Sequence, residues 1–155
     1  MRLSTGAQSR RMMPSMPRIL AIDYGRARIG LAVSDPLGIT VRPLPPVDGR
    51  GGDRVFHQLK EICGEEEVET LVLGLPLQLD GSEGPAVLET RRFRAKLEQH
   101  LGLPVEEHDE RLTSRQAHAE MKSAGVRHRQ RKKHVDSSAA LLLLQSWLAT
   151  RRGAR

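Results

Sequence analysis

Apolar positions along the chain come first in short runs and later at helical spacing. Arg18 to Tyr24 holds Ile19, Leu20, Ala21 and Ile22 in succession, and Arg28 to Ser34 alternates Ile29, Leu31 and Val33 with small residues. Ile39 to Val41 adds a third short run with a Pro-rich tail. These patterns predict strands, and the brief links between them, Gly25 and Asp35-Pro36-Leu37-Gly38, predict an antiparallel meander. Pro43, Pro45, Pro46, Gly49, Gly51 and Gly52 predict a loop. After it Asp53 is placed to cap a helix whose apolar face is Val55, Phe56, Leu59 and Ile62, ending near Gly64. Val68 to Leu75 reads as a buried strand reached by a helical crossover, which predicts parallel pairing with an earlier strand. Helix is predicted over Pro85 to Leu101, a short strand over Val105 to His108, and helix over Ser114 to Ser123. The last helix is predicted over Asp136 to Thr150, with Leu141, Leu144, Trp147 and Leu148 on one face and Leu142 and Leu143 off it. The expected fold class is α/β, a mixed sheet flanked by helices, with no internal repeat.

A length of 155 residues predicts one domain, spanning 18–150, with a leader over 1–17 and a basic tail over 151–155. The leader has no acid and no apolar stretch, so a secretory signal is not expected. It fits a disordered leader, a start codon mis-assigned ahead of Met12, Met13 or Met16, or an organelle transit peptide, the first two being favoured. Lys and Arg number 25 against 19 Asp and Glu, a net +6, so a polyanionic partner is expected. The longest apolar run, Ala139 to Leu144, is far short of the ~20 residues that span a bilayer, so no membrane role is expected. The lone Cys63 cannot form an internal disulfide, and a reducing cytoplasm fits.

Charge directs attention to three carboxylates. Asp23, Glu110 and Asp136 each lie where a predicted element begins or ends. Five basic side chains and two histidines fill Arg127 to His134, immediately before Asp136, without an intervening acid. Phosphodiester hydrolysis by two divalent ions needs carboxylates bridging metals about 3.5–4 Å apart, and Asp and Glu suit the hard ions Mg²⁺ and Mn²⁺. Taken singly, each acid also has a plain reading: Asp23 as a stabiliser of the Tyr24-Gly25 turn, Glu110 as an ion-pair partner of Arg111, Asp136 as a helix N-cap. Asp80 to Gly84 either lines a crevice beyond the strand before it or forms a simple turn. The six histidines lack zinc-like spacing, and no nucleophile elbow or phosphate-binding P-loop occurs.

Four ordered segments carry a family resemblance: Ile22-Asp-Tyr-Gly-Arg-Ala-Arg-Ile-Gly-Leu-Ala-Val-Ser-Asp35, Leu73-Gly-Leu-Pro-Leu-Gln-Leu-Asp-Gly-Ser-Glu-Gly84, Asp109-Glu-Arg-Leu-Thr-Ser114 and Lys132-Lys-His-Val-Asp-Ser-Ser-Ala-Ala140. Residues 18–150 thereby resemble the YqgF/RuvX proteins of the RNase H-like superfamily. The resemblance implies an RNase H-like five-stranded sheet, its first three strands antiparallel and the remainder parallel. It also implies catalytic and metal-binding roles for Asp23, Glu110 and Asp136 with two Mg²⁺ or Mn²⁺ ions. Whether Asp109 or Glu110 points inward stays open. The implied activity is a nuclease that trims the 5′ end of pre-16S ribosomal RNA, with resolution of Holliday junctions as the alternative. Arg26, Arg111, Arg131, Lys132 and Lys133 are then expected to hold the nucleic-acid backbone. The leader and the 43–52 loop depart from the family's pattern without touching the acids.

Two other classes compete. The Asp23-x-Gly25 turn also occurs in actin-like ATPases, but these duplicate a domain that 155 residues cannot hold twice. A catalytically silent RNA-binding module would use the basic segment alone. Tyr24, Phe56, Phe93 and Trp147 are the only aromatics, which favours backbone or shape recognition over base stacking. A resolvase makes two symmetric cuts and is expected to be a homodimer.

Overall fold

The computed structural model describes residues 17–111 and 128–153, and within the second stretch the side chains of 139–151. The leader up to residue 16 and the helix expected over Ser114 to Ser123 lie outside the described residues. Five strands, β1 (Arg18–Asp23), β2 (Arg28–Ser34), β3 (Val41–Asp48), β4 (Val68–Leu75) and β5 (Val105–Asp109), form one sheet in the order β3-β2-β1-β4-β5. The first three strands are antiparallel neighbours, while β4 pairs in parallel with both β1 and β5. Three helices accompany them: α1 (Asp53–Glu65), α2 (Pro85–Leu101) and α3 (His128–Gly153). The expected mixed α/β sheet is the one found.

The central strands read as continuous apolar runs because both of their faces are covered. Leu20 and Ile22 of β1 and Leu71 and Leu73 of β4 pack with Phe56 and Leu59 of α1 and Phe93 and Leu97 of α2. Ile19 and Ala21 of β1, Ala32 of β2 and Val72 of β4 face the other way, onto Ala140, Leu143, Leu144, Trp147 and Leu148 of α3. Leu142, expected off the main face, is buried as well.

Three local expectations are corrected. The prolines expected to form a loop lie within β3, an edge strand on which a missing N–H is tolerated. Between the pairs Ile29–Val47 and Leu31–Leu44, β3 carries one extra residue, so Pro45 and Pro46 sit in a bulge instead of breaking the strand. Asp53 is not the N-cap of α1: Gly52, at φ 61°, holds that position, and Asp53 places its charge in the first turn. The last helix begins at His128, so Asp136 lies two turns inside it and is not an N-cap. No hydrophobic periodicity marks those basic first turns, which is why the sequence pattern starts late. At its other end α3 runs to Gly153, with Arg151 paired to Glu106 at 3.0 Å and lying 4.6 Å over the Trp147 ring. Among the described residues no helix is long and apolar enough to cross a membrane.

Candidate active site

Strand alternation decides which side chains meet. Ile19 and Ala21 face α3, so Asp23, two residues on, is on that same face at the C-terminal end of β1. Val72 faces α3, and Gly74 follows it in β4. His108 of β5 makes a 2.9 Å hydrogen bond with Ser146 of α3, which fixes the alternation there and directs Glu110 to the α3 side.

Glu110 is held by a backbone hydrogen bond from its N–H to the Leu75 carbonyl at 3.1 Å. Its side chain folds across Gly74, where an added Cβ would lie 2.8 Å from both Cγ and Cδ of Glu110. Only a glycine leaves that space. Across the sheet Gly30 of β2 pairs with Asp23, so the β2 position beside this acid also lacks a side chain. Asp23 and Glu110 thus meet over a glycine floor.

Burial is the leading reason that the Glu110 carboxyl is pushed up to about 8, followed by its hydrogen bond with Asp23 and the negative charges of Asp23 and Asp109. In that state the protonated Glu110 donates to the Asp23 carboxylate, and the proton belongs to the pair. Asp109 has a different task. Its carboxylate accepts from Arg111 Nε at 2.9 Å and Nη2 at 2.7 Å, which holds its pKa below the usual range. Of the two adjacent acids, Glu110 is the one that meets Asp23.

Neither described arginine expected to contact nucleic acid stands alone. Arg26 forks onto Glu89 of α2 at 2.7 and 2.9 Å, tying the β1–β2 turn to that helix, and Arg111 is occupied by Asp109. Arg111 Nη1 also reaches the Leu79 carbonyl at 3.5 Å, joining β5 to the Asp80–Gly84 loop. That loop closes on itself through Gly81 N–H to Gln78 O at 2.8 Å and Ser82 Oγ to Asp80 at 2.6 Å. The sequence reading missed Arg28 and Arg50, which line a cleft of about 610 Å³ together with Asp23 and Gly30. Strand parity at Arg28 was a usable signal; the approach of Arg50 depends on the β3–α1 connection. Asp136, Arg131, Lys132 and Lys133 belong to α3, but their side chains lie outside the described residues.

Among the described residues no three acidic, histidine or cysteine side chains gather as a metal-binding group, whereas Asp23 and Glu110 do form a pair. Their chemistry fits a hard divalent ion. Both offer only oxygen donors, and the repulsion that now retains a proton would be relieved equally by a cation taking its place.

A family model described as RuvX, Holliday junction resolvase, matches residues 17–150. The chain belongs to the RuvX family. A relative from Maridesulfovibrio salexigens is 43% identical over 132 residues, 85% of this chain and 98% of its own length. Another from Syntrophomonas wolfei is 40% identical over 131 residues, covering 84% of this chain and 93% of the relative. Both carry the name "Putative pre-16S rRNA nuclease". RuvC of T. thermophilus, solved in complex with a Holliday junction substrate, superposes with a TM-score of 0.52 at 16% identity, covering 89% of this chain and 97% of that one. This RuvX chain therefore shares the fold of RuvC, and the expected RNase H-like class holds.

Proposed function

We propose that this chain is a divalent-metal-dependent nuclease that hydrolyses phosphodiester bonds at the 5′ end of pre-16S ribosomal RNA in the cytoplasm. The observation that carries the reading is the convergence of Asp23 and Glu110 over Gly74, in a family whose relatives are named for that substrate. Two Mg²⁺ or Mn²⁺ ions held by this pair and Asp136 would supply an activated water and neutralise the leaving oxygen.

The course of α3 supports Asp136 as the third ligand. Glu106 pairs with Arg151 and His108 with Ser146, so α3 runs antiparallel to β5. Its earlier turns therefore extend toward the strand ends that carry Asp23 and Glu110. Position 136 is also four residues before Ala140 and eight before Leu144, the helical spacing of the sheet-facing stripe.

In this reading the chain's own groups divide the work. Asp23 and Glu110 fix the reacting centre on strand ends, where little entropy remains to be lost. Arg28 and Arg50 line the cleft beside Asp23 and draw in the scissile phosphate. Arg131, Lys132 and Lys133 hold backbone further along the strand, and Arg26 and Arg111 contribute while tethered by Glu89 and Asp109. Four-way DNA is the second reading. It uses the same site and requires a homodimer for paired cuts, and the names of the curated relatives favour RNA. The test is cleavage of a pre-16S 5′ leader and a four-way junction side by side, with and without Mg²⁺ or Mn²⁺. Asp136→Asn serves as the control. Metal-dependent cutting of the leader that Asp136→Asn abolishes is expected; wild-type cutting by that variant removes Asp136 from the site.

A further inference from the structure

Three of the chain's four aromatic side chains gather at one place. Tyr24, the residue after Asp23, stacks on Phe93 of α2 with centroids 4.3 Å apart, and Phe93 meets Phe56 of α1 at 5.4 Å. Together they wall a pocket of about 210 Å³ between α1 and α2, on the far side of the sheet from the Asp23–Glu110 pair. Arg92 and Lys96 line it from α2, four residues apart, which puts their Cβ atoms about 6 Å from each other on one helix face. Both are exposed, and among the described residues neither is in a salt bridge. This separates them from Arg18, Arg26, Arg42, Arg91, Arg94 and Arg111, each of which has a carboxylate partner. The single acid in the pocket, Glu89, accepts hydrogen bonds from Arg26 and Tyr24 and feels the charge of Arg92 without an ion pair to it.

The pocket is next to the acid-lined cleft along the backbone. Gly49 lies against the β1–β2 turn, where a Cβ would come within 2.7 Å of the Gly25 carbonyl oxygen. On one side of this low crossing Asp48 at the end of β3 and Arg50 of the following loop line the cleft with Asp23; on the other the loop contributes Gly49 and Gly52 to the aromatic pocket. Gly25 and Gly49 add no side chain to this crossing, where their backbones abut.

We propose that the aromatic pocket binds one unpaired nucleotide of the substrate strand beside the scissile phosphate, with the base against Tyr24, the one of the three rings that is only partly buried, and the flanking phosphates on Arg92 and Lys96. The inference rests on the nuclease reading and extends it to substrate form: the strand is single-stranded next to the cut. A partly exposed aromatic ring beside cations that are in no salt bridge is a combination that holds single strands without reading their sequence. The scarcity of aromatics in the composition is offset by their concentration at one point.

The test measures binding of a labelled pre-16S leader RNA to Asp23→Asn protein in Mg²⁺ across a range of salt concentrations. Adding Arg92→Ala with Lys96→Ala is expected to weaken binding about tenfold and to lower the log–log salt slope by about 1.4, the value for two single-strand phosphate contacts. In parallel, 4-thiouridine placed singly along the RNA is photo-crosslinked to the protein with its natural Asp23. Crosslinks from one position beside the cut to the peptide containing Tyr24 or the Arg92–Lys96 segment are expected. Unchanged affinity and slope in the double variant, or crosslinks falling wholly outside those peptides, overturns the pocket assignment and leaves the nuclease reading intact. Wild-type cleavage by Asp23→Asn removes Asp23 from the reacting centre, and absence of metal-dependent cleavage of the leader by the natural protein overturns the nuclease reading itself.

Discussion

Glu110 lies across Gly74 so closely that Cγ and Cδ of the glutamate are each 2.8 Å from the position a Cβ on residue 74 would occupy. The catalytic role proposed for Glu110 therefore depends on a residue that has no chemistry of its own. Gly74→Ala is expected to push the carboxylate away from Asp23, to lower turnover by at least about 100-fold and to cost about 1–3 kcal/mol of stability. Turnover and thermal unfolding of the purified variant check both effects. Wild-type turnover with an intact fold would show that Glu110 need not sit there.

Asp23→Asn removes one charge and keeps the shape. The variant is expected to fold, to bind RNA and to lose at least about 100-fold in cleavage. Because the Asp23 charge and hydrogen bond both raise the Glu110 pKa, Glu110 should also titrate closer to its ordinary range in this variant. Carboxyl-carbon NMR of the metal-free protein reads that shift directly, and an unmoved Glu110 would mean that burial alone sets it.

The same pair makes stability depend on pH in a definite direction. Glu110 rises from 4.5 to about 8 on folding, so between those values the folded chain holds a proton that the unfolded chain has released. Stability of the metal-free protein should accordingly be greatest below about pH 4.5 as far as this group is concerned, and fall as pH rises toward 8, by at most about 1.4 kcal/mol per unit. Denaturant unfolding across this range, with Glu110→Gln for comparison, isolates the contribution. The Gln variant should show a flatter profile, and parallel curves would contradict the assignment.

Divalent ions should act against that trend. Occupation of the carboxylate pair displaces its proton and stabilises the folded state by mass action, so added Mg²⁺ or Mn²⁺ is expected to raise the melting temperature more at pH 8 than at pH 6. A metal-induced shift that is equal at both pH values would place binding elsewhere.

Cys63 provides a check on the packing itself. Burial beneath α1 pushes its thiol up to about 11, so alkylation at neutral pH should be slow in the folded protein and fast in denaturant. Rapid labelling of the native chain would indicate that α1 is not seated on the sheet as described.

Much of the fold was readable in the sequence where a short-range signal exists. The apolar runs of β1 and β4 announced strands, that of β4 a buried one, and the short links at Gly25 and Asp35–Gly38 announced antiparallel neighbours. Signals failed where context overrides propensity. Pro43, Pro45 and Pro46 look like loop residues until β3 is known to be an edge, and the basic start of α3 has no apolar stripe to show that it is helical. Arg28, Arg50, Arg92 and Lys96 drew no notice in the chain because a surface cation is ordinary until its partners, or their absence, are known.

The sequence by itself determined that this chain is of the α/β class, with excess positive charge and with Asp23 and Glu110 where strands end, because hydrophobic period and net charge are local and additive properties. It also carried the ordered motifs that mark the RuvX family. Which acids meet was decided only in three dimensions. Asp109 and Glu110 are chemically alike and adjacent, and their fates separate because strand alternation sends one to Arg111 and the other over Gly74 to Asp23. Contacts between residues 23 and 110, and among Tyr24, Phe56 and Phe93, follow from sheet order and register, which no stretch of sequence contains.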